Sequence, residues 1–320
     1  MDIIITEPVV NQMIETGCLT SYYLDVELGS KKSKAKNDFE ITMSLDKWNY
    51  SMNQGSFVLS ELFCGMIDGL KVDTYMQEIT LHGVTIQKML DEIIIVPSAG
   101  RNYFEFSGDI NILLDLLIRP RFNGLIVTPD VMSGIQVQLK SRYESVFEAL
   151  ERCLSEVDMR LHIEYKNAQI IVSAVNMNLH EDVEINNDYD IKMISEARQN
   201  YNHMIALGRG EMANRTIIEL FCVNGEISEG PLPEGTLQRT YLYDYPGVES
   251  EEKLYSDAKK KMLSVCGYTS LTAELDGDFE VGDSLYIRER ISGLYKKACI
   301  QQKIIKGTSE DLKIEYKVGE

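Results

Sequence analysis

Alternation of apolar and polar positions is the strongest signal in the chain. Tyr22, Leu24, Val26 and Leu28 alternate with Tyr23, Asp25 and Glu27, and Phe39, Ile41, Met43 and Leu45 alternate with Glu40, Thr42 and Ser44. A period of two marks strands with one buried face, so the two runs predict a hairpin. The last stretch repeats the pattern at Leu285 and Ile287, at Ala298 and Ile300, and at Leu312, Ile314, Tyr316 and Val318. Turn residues at Gly282-Asp283 and from Gly307 to Glu310 separate these runs, which are expected to close a sheet begun upstream. Further strands are predicted at 57–63, 74–81, 122–127, 135–139, 159–165, 170–174, 200–211, 215–223, 237–243 and 271–275, with glycines at 65 and 69 punctuating the early ones.

Helical spacing is confined to four places. Ile86, Met89, Leu90 and Ile93 form a short turn that ends before Pro97. Asp109 precedes Ile110, Leu113, Leu114, Leu117 and Ile118, an amphipathic helix with an acidic N-cap that stops at Arg119-Pro120. From Tyr143 to Val157 apolar residues recur at offsets of three and four, and Ser141 with Glu144 reads as a capping box. Cys153 falls within that apolar stripe. The helix over 250–266 carries Glu251 and Glu252 in its first turn and Gly267 past its end, as the helix dipole and caps favour.

The layout predicts an α+β fold, mainly β. Residues 1–92 read as a first small antiparallel β-barrel-like domain and 93–195 as an inserted helix-plus-hairpin α+β domain. Residues 196–245 with 267–320 read as a second β-barrel-like domain, interrupted by the helical insertion 246–266. The acidic stretch 179–190 reads as a linker or solvated edge, with a boundary near Ser195. No repeat of 20 to 50 residues runs through the chain.

Composition narrows the function classes. At 320 residues the chain has material for two or more domains, and its net charge of −18 opposes nucleic-acid or anionic-membrane binding, which needs Lys and Arg on the contact face. No transmembrane helix or secretory signal is read, so no membrane anchoring is expected. The six cysteines lie far apart without a CxxC pair, which suits reduced thiols made in a cytoplasm.

Candidate chemistry is sparse. Lys31, Lys32, Lys34 and Lys36 form the only basic cluster; a solvated loop tip accounts for it better than a phosphate or partner contact does. His82, His162, His180 and His203 show no metal-ligand spacing, although His162 and Glu164 share a strand face. The segment Gly208-Arg209-Gly210-Glu211 lacks the third glycine of a dinucleotide fingerprint and the Lys-Ser/Thr of a P-loop, so a turn needing positive backbone angles is its simplest reading. Asp276, Asp278, Glu280 and Asp283 offer oxygen ligands for Ca²⁺ without an EF-hand loop. Tyr241, Tyr243 and Tyr245 alternate as one sheet face, or as an aromatic platform for glycans. No GxSxG elbow or cysteine–histidine motif is present, and catalytic, cofactor and metal residues are expected to number none.

The runs TLHGVTIQKMLDEIIIVP, YFEFSGDINILLDLL, RQNYNHMIALGRGEMANRTIIELF, YDYPGVESEEKLYSDAKKKM and FEVGDSLYIRERISGLYKKACIQQKIIKG resemble those of the siphovirus-type tail hub family of phages and prophages. The resemblance extends from about Asp38 to the C-terminus as ordered blocks. It implies a structural, non-enzymatic protein of the virion tail tip or baseplate, made in the bacterial cytoplasm. It further implies a homotrimeric ring whose two barrel-like domains per subunit mimic six-fold symmetry. Implied partners are a distal tail or tail tube protein, a tape-measure protein and a spike or fibre protein, with DNA as transiting cargo and no cofactor. Longer hubs carry a C-terminal enzymatic or host-binding extension, which this chain is expected to lack. The alternatives are a tail-associated cell-wall hydrolase and a host glycan or receptor binding module. The symmetry argument requires that the front and rear thirds form matching, separate β modules.

Overall fold

Backbone pairing in the computed structural model sorts the strands differently from their order in the chain. The structure describes residues 1–9, 12–31, 33, 35–122, 124–185, 193–199, 201–223, 226–228, 230–273, 277–289 and 295–319. They fall into two units, Met1–Ile191 with Ala273–Glu320, and Lys192–Thr272.

The first unit opens with β1 (Ile3–Val9), β2 (Gln12–Leu19), β3 (Tyr23–Gly29), β4 (Asp38–Ser44), β5 (Phe57–Leu59), β6 (Cys64–Asp73) and β7 (Glu78–Thr85), followed by helix α1 (Ile86–Asp91). Its inserted part holds β8 (Phe104–Asp109), α2 (Ile110–Ile118), β9 (Ile126–Val127), β10 (Gln136–Ser141), α3 (Val146–Ser155), β11 (Met159–Lys166) and β12 (Gln169–Asn176). Strand β13 (Leu179–Ile185) leads away from it. The second unit contains β14 (Met193–Gln199), β15 (His203–Leu207), β16 (Ile217–Val223), β17 (Glu226–Ser228), β18 (Thr240–Asp244), α4 (Glu251–Val265) and β19 (Gly267–Ala273). The chain then returns to the first unit through β20 (Ser284–Glu289), β21 (Tyr295–Thr308) and β22 (Leu312–Gly319).

The closing strands are the main correction to the sequence reading. They join the first sheet, whose order is β13-β20-β21-β3-β4-β7-β6-β5-β1-β2, with β22 also on β21. Strand β21 relays the pairing. Its first half lies against β20, with Cys299 opposite Ser284, and its second half lies against β3, with Ile305 opposite Val26 and Gly307 opposite Leu24. The physical reason is shared burial: Ile305, Val26 and Leu24 are fully buried in one core with Phe39, Ile41 and Leu81. The front third and the closing strands are therefore one sheet. Among the described residues its strand path ends at β13 and β2 with β22 as a branch and closes no barrel, and β13 pairs with β20 in parallel, so the expectation of antiparallel barrels is also corrected. The described part of the expected acidic linker, 179–185, is that parallel strand; the rest lies outside the described residues.

The inserted part shares its core with the back of the first sheet. Leu113, Leu114, Phe147 and Leu150 pack in one cluster with Phe57, Leu59, Ile86 and Leu90, so no boundary in packing falls at residue 92. Cys153 lies in the buried stripe of α3, as its spacing predicts. The start of α3 differs from the capping-box reading. Ser141 does donate to Glu144 (2.8 Å), but Tyr143 adopts φ of 54° and breaks the path, so Ser145 becomes the N-cap and accepts from the Glu148 N–H (3.1 Å). Asp109 caps α2 as predicted, accepting from the Asn111 N–H (2.9 Å).

In the second unit, β15 and β16 are antiparallel while β18 runs parallel to β15. Helix α4 covers one face of this sheet, burying Leu254, Ala258 and Met262 against Met204, Ala206 and Leu220.

Gly65 and Gly83 show why glycines sit inside strands here. A Cβ on Gly83 would meet Phe39 Cζ at 2.2 Å and the Met66 carbonyl oxygen at 2.5 Å, and one on Gly65 would meet Phe39 Cε1 at 2.6 Å. The Phe39 ring thus lies over two missing side chains, and Gly65 interrupts no strand. Gly83→Ala is expected to destabilise the protein by about 1–3 kcal/mol, as overpacking does, read as a lower urea midpoint at unchanged slope. A pH test bears on Asp109. Burial pushes its carboxyl upward, but the N–H groups of Asn111, Ser133 and Gly134 and the Ser133 hydroxyl hold it below the usual carboxylate range. A lowered folded value contributes stability that is present above the ordinary value and is lost as pH falls through the folded one. Asp109→Asn should therefore flatten the loss of stability on acidification from about pH 5 downward.

Candidate functional site

Asp283 is a buried acid held by donors from separate stretches of the chain. The turn that presents it begins at Glu280 and needs Gly282, whose φ is +99° and whose missing Cβ leaves room for Arg160 (Cβ at 3.0 Å). The Asp283 N–H donates to the Glu280 carbonyl (3.0 Å), and the Ile300 N–H donates to the Asp283 carbonyl (2.8 Å), fixing the turn against β21.

The Asp283 side chain is 2% exposed and receives donors from three stretches of sequence. Arg160 Nε on β11 reaches Oδ1 at 2.9 Å, the Asn178 N–H reaches the same oxygen at 3.1 Å, and the Glu280 N–H reaches Oδ2 at 3.2 Å. His180 Nε2 lies 3.6 Å from Oδ2, and its ring meets Phe279 edge-on at 4.9 Å. Phe279 stacks edge-on with Tyr316 at 5.3 Å and donates its N–H to the Tyr316 hydroxyl (3.3 Å). Beside them Lys303, 2% exposed, pairs with Glu280 at 2.7 Å. A carboxylate with this many donors is neither a free base nor an open cation ligand. The arrangement fastens the inserted β11 and the segment before β13 to the closing strands.

An adjoining cleft of about 420 Å³ runs between α3, β11 and the closing strands, floored by Phe147, Met159, Leu161 and Val281. Two of its rim acids, Glu144 and Glu151, are engaged. Arg152 holds Glu144 in two-pronged fashion (3.1 and 2.7 Å), and the Lys31 N–H donates to Glu151 (2.7 Å). Burial raises the Glu144 carboxyl, but Arg152 and Ser141 bring it below its ordinary value, the reverse of what a general acid for glycoside cleavage needs.

The other sequence candidates separate. Of the lysine cluster, Lys32 and Lys34 lie outside the described residues, and Lys31 is exposed and pairs with Asp91 at 2.6 Å. Asp276 also lies outside the described residues, and Asp278 is exposed. His82 pairs with Glu40 at 3.3 Å, His162 sits opposite Ser173 on β11, and His203 is buried in the second unit with Thr240 Oγ1 2.8 Å from Nδ1. Among the described residues no three His, Cys, Asp or Glu side chains group as a metal site. Gly210 has φ of +101° as a turn requires, but Gly208 is explained by packing: its Cβ would meet Leu254 Cδ2 at 2.8 Å. Tyr241, Tyr243 and Tyr245 are half-buried on the α4 side of the sheet, forming no exposed platform. The Asp283 cluster was not foreseen as a junction, because its partners lie more than 100 residues apart.

Truncating one partner of a buried ion pair strands the other. Asp283→Ala is expected to cost about 3–5 kcal/mol, whereas the double replacement Asp283→Leu with Arg160→Met should cost less than the single one. Chemical denaturation of the three proteins measures both.

No protein-family model matches the sequence, and no curated protein matches it. Among solved structures, prophage tail protein gp18 from Listeria monocytogenes is similar at a TM-score of 0.58 and 10% identity, covering 100% of this chain and 94% of that one. The 43 kDa tail protein of prophage MuSo2 from Shewanella oneidensis is similar at 0.56 and 11% identity, covering 99% and 98%. A chain of the p2 virion baseplate in its activated conformation is similar at 0.50 and 12% identity, covering 99% and 98%. From end to end, both units and the inserted part included, the chain has the fold of phage tail and baseplate proteins.

Proposed function

We propose that the protein is the structural hub of a phage or phage-derived tail tip or baseplate, a homotrimeric ring that joins a hexameric tail tube to a three-fold spike or fibre and lets DNA through. The observation that carries this reading is the likeness along nearly the whole length of both chains to prophage tail protein gp18. Charge supports it too. Three copies of a chain of net charge −18 make an acidic ring, past which a polyanion slides without sticking.

The expected pair of matching front and rear β modules does not form: the closing strands join the first sheet, and residues 192–272 alone supply the second β unit. A tail-borne hydrolase is the weaker reading, since Arg152 holds the cleft acid Glu144 below its ordinary value and Glu151 accepts from the Lys31 backbone.

Antibody raised against the protein is expected to label the distal end of the tail in negatively stained particles from its source, and loss of the protein should leave particles without joined tails. Light scattering of the protein bound to its tail-tube partner should give a mass with three copies. Labelling along the tail shaft, or a purified protein that clears cell walls, would contradict the proposal.

A further inference from the structure

The second unit holds two thiols that the assembly role leaves unused. Cys222 lies on β16 and, like Leu220, faces α4, whereas Phe221 between them stacks on His203 of the opposite face at 4.7 Å. Cys266 is the C-cap of α4, its N–H donating to the Met262 carbonyl (2.8 Å). Both are buried in one cluster with Leu254 and Met262.

The backbone brings them together through two consecutive residues. The Tyr201 N–H donates to the carbonyl of Val265 (3.2 Å), immediately before Cys266, and the Cys222 N–H donates to the carbonyl of Asn202 (3.0 Å). Strand and helix end therefore hang from the same dipeptide. The Cys266 thiol has the Leu263 carbonyl at 3.7 Å and lies in the same buried cluster as Cys222. The other cysteines, Cys18, Cys64, Cys153 and Cys299, belong to the first unit.

We propose that Cys222 and Cys266 are a cross-linking pair, joined as an intramolecular disulfide when the protein leaves a reducing cytoplasm and meets a hydroperoxide. One thiol is oxidised by the peroxide to a sulfenic acid, releasing the reduced peroxide as water or alcohol. The second sulfur attacks it; the S–S bond forms, the S–O bond breaks, and hydroxide leaves with the second thiol's proton as water. Burial pushes the Cys266 thiol up to about 12, so little of it is thiolate and the joining is slow. The bond would close a loop of about 45 residues and pin the end of α4 to its sheet, so it stabilises by restricting the unfolded chain.

The test uses the full chain, fully reduced, then treated with hydrogen peroxide, alkylated and digested without reductant. A joined peptide pair containing Cys222 and Cys266 is expected, with the melting transition raised by roughly 5 °C over the reduced protein. Cys222→Ser should abolish both the pair and the shift. If that variant does not fold, Cys266→Ala serves, and the peptide map of the unaltered chain decides in any case. Alkylation of both cysteines after peroxide, sulfinic acid on either without a bond, or a bond from either to a different cysteine would overturn the proposal.

Discussion

A carboxylate removed from water must be matched by donors, and at Asp283 that requirement ties together what the chain keeps far apart. Arg160 comes from the inserted part, Asn178 from the segment that leaves it, and Glu280 from the turn before the closing strands. An unmatched charge in this position would cost several kcal/mol, so the folded state admits little slack among the three segments. The apolar core alone could not impose this, because burial of Leu, Ile and Phe side chains is not directional. Hydrophobic area holds the first unit together, and the acid sets the register in which its late strands meet its middle.

The relay through β21 is the second constraint. A strand of 14 residues is long enough to pair with β20 over one half and β3 over the other, with β22 along its far edge and an irregularity between Ile300 and Gln302. Such an irregularity bends a strand and lets it serve two neighbours of different direction. The first sheet is thus finished only by strands far downstream of those that begin it. Contacts of this sequence separation make for slow folding, since loop closure precedes their reward.

What the sequence reveals follows from the range of the interaction. The β3–β4 hairpin, the Asp109 cap and helix α4 are local, and their alternation, capping residue and charge placement name them before any coordinates do. The partner of the closing strands is not local. A period of two tells which face of β21 and β22 is buried but is silent on what it is buried against, so the same pattern fits either β unit. The start of α3 fails for another reason: Ser141 and Glu144 do bond, yet Tyr143 takes a left-handed conformation that spacing cannot reveal. Gly65 looks like punctuation until the ring of Phe39 is seen lying across it. At the site, the acids near 280 stood out by composition, while Arg160 had no signal in its own neighbourhood.

Strands β14 and β19, the first and last of the second unit, pair with each other as a two-stranded ribbon. The stretch between them therefore begins and ends side by side. A segment whose two ends are held together in this way can be enlarged, trimmed or exchanged without altering the register of the strands outside it.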